Sequence, residues 1–165
     1  MKAPARATVL AVLLAGALSA QVVLTAAAGG PSANRTPDFG TFSAFAKLGI
    51  ALPPAPHLLV LWNFAGAGWD RLQARNGASL ESGIEAWLSP ARRAAQSHGP
   101  LLLTEAALGH RFGSGLHGYA SLGIGGGWSI GDWVPFAEFR RRASFHAGRP
   151  VDHQIVVGIH FVLFG

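Results

Sequence analysis

The sequence predicts an all-β chain that closes as an antiparallel up-and-down transmembrane β-barrel of about eight strands. Three observations carry the prediction. Apolar residues recur at every second position over most of the chain, the period of an extended strand. Only 13% of the 165 residues are charged, against roughly 25% in soluble domains, and the charges fall almost entirely on one parity. The alternating segments run about 9 to 13 residues, matching the 9 to 11 that a tilted strand needs to cross a bilayer. In a soluble sandwich the second face would be rich in Lys, Glu and Thr and would meet water. Here it carries Gly, Ala, Ser, Tyr and His with isolated Glu and Arg, which suits a narrow lumen. The 22 glycines argue against a helical bundle, since each interior Gly costs a helix about 1 kcal/mol relative to Ala.

At the N-terminus, Lys2 and Arg6 precede an uncharged, mostly apolar stretch that ends in Ala26-Ala27-Ala28. That is the layout of a Sec-type signal peptide over residues 1–28, cut after Ala28, or after Ala20 as the second choice. Two cations of the formal +5 charge thus belong to the leader, and no nucleic-acid partner is indicated. Residues 29–38, "GGPSANRTPD", read as a flexible leader, and the barrel is expected over 39–165. Its first strand is faint, with Ala44, Ala46, Leu48 and Ile50 opposite Ser43, Phe45, Lys47 and Gly49. In 57–69, Leu58, Val60, Trp62 and Phe64 oppose Leu59, Leu61, Asn63 and Ala65; in 77–88, Ala78, Leu80, Ile84, Ala86 and Leu88 oppose Glu81, Gly83, Glu85 and Trp87. Leu102, Ala106, Leu108 and Phe112 oppose Glu105, Gly109 and Arg111, and Leu116, Ala120, Leu122, Ile124 and Trp128 oppose His117, Tyr119, Ser121, Gly123 and Gly125. Trp133, Ala137 and Phe139 oppose Glu138, Arg140 and Arg142, and the last strand sets Ile155, Val157, Ile159, Phe161 and Leu163 on one face. That makes seven strands, with loops at 70–76, 89–99 and 146–152.

Helical alternatives fare worse. The uncharged stretch 48–69 is broken by Pro53, Pro54 and Pro56, which deny a helix its hydrogen bonds, and 112–131 is rich in glycine. Only "EAWLSPARRAAQSHG" has local helix propensity, as a loop element.

Signal sequence, dyad strands and terminal amphipathic strand together resemble the small outer-membrane β-barrels of Gram-negative bacteria, over residues 39–165. The resemblance implies a cell outer-membrane location, a ring closed so that every backbone group is paired, and outer-membrane lipid and lipopolysaccharide as partners. A surface ligand or phage is a further expected partner, and no cofactor is expected. Trp69, Trp87, Trp128 and Trp133 fall at strand ends, where an aromatic girdle belongs, whereas Trp62 does not. Phe164 is penultimate and out of phase with Phe161 and Leu163. Bacterial barrels have even strand counts, so an eighth strand is sought in 89–99, or in 21–28 if the signal is cut early; otherwise the chain forms one part of a larger barrel.

The residues that could carry chemistry are few. Glu81, Glu85, Glu105, Arg111 and Glu138 share the inward parity with Arg140 and Arg142, and form an ion-pair network filling the lumen or else a pore lining; an eight-stranded barrel is just wide enough for side chains to fill. Arg140, Arg141 and Arg142 offer contact to lipopolysaccharide phosphate, with Arg141 on the lipid parity at the membrane interface. Ser144 and His146 share one face, so a lipid A-modifying, deacylase-like hydrolase is the enzymatic alternative. Such enzymes carry His-x-Ser with a Glu, the reverse order, and Glu138 lies roughly 27 Å from His146 along a strand. A non-enzymatic barrel with a filled or narrow lumen, structural or serving surface recognition, is the primary expectation, and a soluble periplasmic β-sandwich the third. No metal site is expected, because His146, His153 and His160 alternate faces. "GIGGGW" at 123–128 lacks the Lys of a phosphate loop and reads as close packing in a strand.

Overall fold

The computed structural model describes residues 20–31, 42–72, 75–90, 98–113, 117–146 and 151–164. Eight strands follow in chain order: β1 (Gln21–Pro31), β2 (Phe42–Ala55), β3 (Leu58–Leu72), β4 (Arg75–Leu88), β5 (Gly99–Gly113), β6 (His117–Ser129), β7 (Trp133–Ser144) and β8 (Asp152–Phe164). Each pairs antiparallel with its sequence neighbours and β1 pairs with β8, so a single sheet closes into a barrel. This topology corrects the sandwich alternative, because there are no two sheets to pack face to face. No helix occurs among the described residues. Residues 91–97, in the segment with helix propensity, lie outside them.

The eighth strand is β1, which takes in residues assigned above to the signal peptide and the leader. The barrel therefore starts at Gln21 and not at residue 39. Within "QVVLTAAAGGP" the inward positions are Val23, Thr25, Ala27 and Gly29, and Leu24, Ala26 and Ala28 point out. Because Thr25 is the one polar residue after Gln21, the alternation is nearly invisible beside an apolar leader. The loop expected at 70–76 also shrinks, since β3 runs on through Asp70 to Leu72 and β4 resumes at Arg75.

Closure can be followed residue by residue. Gln21 pairs with Ala51, Ala51 with Leu61, Leu61 with Glu85, Glu85 with Glu105, Glu105 with Gly123, Gly123 with Arg140, Arg140 with Gln154, and Gln154 with Pro31. One circuit thus returns to β1 ten residues further on. In eight strands such an offset tilts each strand by roughly 40° and leaves an interior that side chains alone can fill.

The filling obeys a rule of large against small. Inward Gly123, Gly125 and Gly127 of β6 stand opposite Arg140, Glu138 and Phe136 of β7. A Cβ on Gly125 would come within 2.2 Å of the Ala137 carbonyl oxygen, and one on Gly109 within 2.2 Å of the Tyr119 ring. The glycine run "GIGGGW" therefore makes room for its neighbours, as close packing in a strand requires. A bulge in β3 sets Phe64 and Ala65 both outward between inward Asn63 and Gly66, which shifts the alternation of that strand by one residue.

Inside, Val23, Ala51, Leu59, Leu61, Leu101, Leu103, Val134 and Val156 form an apolar cluster near the end that carries the β2–β3 and β6–β7 turns. Outside, the wall is more apolar than the core. Leu108, Leu122, Ile84 and Ile124 are each more than half exposed, as are Trp62, Trp128 and Trp133. Trp87 departs from the expected girdle: it points inward and is fully buried, whereas Trp69, Trp128 and Trp133 point out.

A chain begun at Gln21 keeps the strand that closes the ring; one begun at Gly29 loses most of it. Refolded from urea into detergent micelles, the first is expected to run as a faster band when left unboiled on an SDS gel, and the second only at its boiled position.

Candidate functional site

Apart from outward Arg141, the charged side chains described on the strands gather in the lumen in three groups. At the centre, Lys47 Nζ lies 2.7 Å from Glu81 Oε1 and also pairs with Glu105. Arg140 reaches the same two carboxylates, with Nη1 3.4 Å from Glu81 and Nη2 2.5 Å from Glu105, and donates from Nε to Glu138 at 2.8 Å. Tyr119 Oη donates to Glu81 Oε2 at 3.1 Å. The Phe45 ring packs beside both cations, 4.6 Å from the Arg140 guanidinium and 5.0 Å from Lys47 Nζ, a favourable placement for a desolvated cation. Period two puts all of these on one face of their strands; shear brings them to one level.

Toward the end with the β3–β4 and β7–β8 connections, Asp70 is shared by Arg111 and Arg142, the latter at 3.3 Å. Arg142 also grips Asp152 through Nε at 3.0 Å and Nη2 at 2.7 Å, and its guanidinium lies 5.5 Å from the Tyr119 ring centroid. Toward the apolar cluster, Trp87 Nε1 donates to Glu85 Oε1 at 2.8 Å. His160 is clamped there: Nδ1 meets Thr25 Oγ1 at 2.8 Å, and the ring stacks on Phe136 at 4.3 Å and leans on Trp87 at 4.7 Å. Its Nε2 lies 3.3 Å from Glu85 Oε1, but without the alignment of a hydrogen bond.

All five residues expected in a lumen network, Glu81, Glu85, Glu105, Arg111 and Glu138, therefore do face the lumen. Lys47, Asp70, Asp152 and His160 belong with them, beyond the network that the sequence predicts. Lys47 and His160 share the inward parity of largely apolar strands, whereas Asp70 and Asp152 fall in segments that read as loops. A cavity lined in part by Ser43, Lys47, Glu81, Tyr119, Arg140 and Arg142 measures about 10 Å³, scarcely the space of one water. The roomier concavity, about 620 Å³, lies on the outer wall beside the β3 bulge among Leu24, Leu48, Phe64, Leu80 and Leu108.

The arginine triplet divides. Arg140 and Arg142 point inward and are engaged with carboxylates, so they offer nothing to a phosphate outside. Arg141 alone stands on the outer wall, exposed, with His153 directly opposite on β8. At the rim, the His146 backbone N–H donates to Ser144 Oγ at 3.2 Å, the bond by which a hydroxyl closes a turn. Glu138, the acid on the same strand face as that pair, is held by Arg140 in the middle of the lumen. Among the described residues no group of three or more His, Cys, Asp or Glu is placed to hold a metal ion. No protein-family model matches this chain, and no curated protein sequence matches it.

Removing one partner from a buried ion pair leaves an uncompensated charge and costs about 3 to 5 kcal/mol. Arg140→Met is expected to destabilise the barrel by about that much, by urea unfolding of vesicle-refolded protein. Adding Glu138→Gln should restore at least about 1 kcal/mol, because the two residues are directly coupled.

Proposed function

We propose that this protein is a non-enzymatic outer-membrane β-barrel with a filled lumen, exported by a Sec-type signal peptide and serving a structural or surface-recognition role. One observation carries the proposal: the barrel is inverted, with large hydrophobic side chains over its outer wall and ion pairs within. In water such a wall is unfavourable by about 25 cal/mol for each Å² of apolar surface exposed, and contiguous exposed patches of that extent mark an interaction surface. A bilayer removes the cost, and closure leaves no backbone edge unpaired within it. A barrel whose ring begins at Gln21 favours signal cleavage after Ala20 over Ala28, since the later cut would fall inside β1. Outer-membrane lipid and lipopolysaccharide are the proposed partners of the wall, with Arg141 at the interface.

The filled lumen favours an anchor or recognition element over a porin-like channel. Inward Glu81, Glu105 and Glu138 are held in ion pairs by Lys47 and Arg140, and the apolar cluster around Leu59, Leu61 and Leu103 stoppers one end. Recognition would then fall to the loops. For the hydrolase alternative, His146 would need an acid other than Glu138 to orient it.

Expressed at full length in a Gram-negative host, the protein should fractionate with the outer membrane, resist carbonate and urea washes, and lack the residues before Gln21 by mass spectrometry. In planar bilayers it should give no discrete conductance steps. Release by carbonate would contradict the membrane assignment, and stepwise conductance would contradict the filled lumen.

A further inference from the structure

We propose that Arg141 and His153 form a site on the outer wall for the phosphate group of a membrane lipid, an inference that rests on the outer-membrane assignment above. Arg141 is the outlier of its surroundings. Its outward neighbours are Phe139, Ala143 and Leu122, and the acidic side chains described all point into the lumen, apart from exposed Asp132 in the turn at the opposite end. Nothing anionic on the described wall can therefore neutralise it. An Arg in the outward apolar band costs about 2 to 4 kcal/mol at the bilayer midplane and little at the interface.

Its height can be read from the register. Trp133 and Phe161 pair at one end of β7 and β8, and Arg141 and His153 pair eight residues further along the same two strands. At 3.3 Å per residue and a tilt of about 40°, that is roughly 20 Å along the barrel axis. With Trp133 in one aromatic girdle, the pair lies near the far edge of a band about 25 Å tall, and the long Arg stem can carry its head to the phosphate layer.

The pair is built for an anion. Directly opposed residues on one face of an antiparallel ladder hold their Cβ atoms about 4.5 to 5.5 Å apart, so a guanidinium fork and an imidazole N–H at paired Arg141 and His153 are within reach of one anion outside the wall. The His153 ring is held in advance by stacking on Phe139, 5.6 Å between centroids at 26°, so little freedom is lost on binding. Phosphate is the matching ligand because Arg binds it bidentately. Lipid A in the outer leaflet and a glycerophospholipid in the inner one present the same chemistry.

The test is native mass spectrometry of the delipidated full-length protein in detergent. The probes are bisphosphorylated lipid A, the same lipid with its phosphates removed, and phosphatidylglycerol. One phosphorylated lipid should be retained per barrel, with affinity falling about tenfold on phosphate removal or in Arg141→Gln, and less in His153→Gln. Preference for lipid A places the site in the outer leaflet, and equal or better binding of phosphatidylglycerol assigns it to glycerophospholipid; both outcomes uphold a phosphate site. Equal retention of the dephosphorylated lipid, or unchanged affinity in Arg141→Gln, overturns it. Mobility with and without boiling separates this from the parent proposal. A wild-type band that never shifts sinks the membrane barrel itself, whereas a normal shift with phosphate-blind binding sinks only the Arg141–His153 site.

Discussion

The guanidinium of Arg140 is the interaction on which the rest of the barrel depends. It is shared among Glu81, Glu105 and Glu138, which arrive from β4, β5 and β7, and Lys47 from β2 joins the first two from the other side. Each of these groups, taken singly out of water, would cost several kcal/mol. They are tolerable inside only as a set, so four strands must meet at one level. The shear of the ring achieves this: after an offset of ten residues per turn, positions far apart in number come to face each other across the lumen.

Charge at the centre in turn dictates size around it. A guanidinium and several carboxylates need volume, and the lumen provides it by leaving glycine opposite them: Gly123 faces Arg140 and Gly125 faces Glu138, while Gly109 accommodates the Tyr119 ring that donates to Glu81. Below this layer the polar demand falls away. Glu85 accepts from the indole of Trp87, His160 Nδ1 meets Thr25, and beyond them aliphatic side chains such as Val23, Leu59, Leu61, Leu101 and Leu103 predominate. The barrel is thus polar at one end and stoppered with aliphatic side chains at the other, a polarity that the outer wall does not share.

Much of this was legible in the sequence, and the failures have physical causes. Period two exposed the inward parity of Glu81, Glu85, Glu105, Arg111 and Glu138, because a charge among hydrocarbon neighbours is a loud signal. β1 was hidden because small residues give alternation no contrast: in "TAAAGG" inward and outward side chains are nearly alike. Asp70 and Asp152 lie where the alternation stops, so the pattern reads them as loop residues, yet their strands run on and both pair with Arg142. Trp87 sits at a strand end, which suggests a girdle, but its parity is that of Glu81 and Glu85, and it faces in with its indole on Glu85. Convergence on Arg140 could not be seen at all, since register and shear lie outside any one strand's pattern.

The central claim is that hydrocarbon lies outside this wall and a filled lumen inside it. With no native cysteine, single Cys substitutions on β8 can carry a spin label without interference. The most direct measurement is the accessibility of labels at positions 154 to 157 and 159, in outer-membrane lipid vesicles, to oxygen dissolved in the bilayer and to a water-soluble nickel chelate. Oxygen accessibility is expected to be high at Ile155, Val157 and Ile159 and low at Gln154 and Val156, with the chelate excluded throughout. Chelate reaching the outward positions, or no alternation along the strand, would contradict the account.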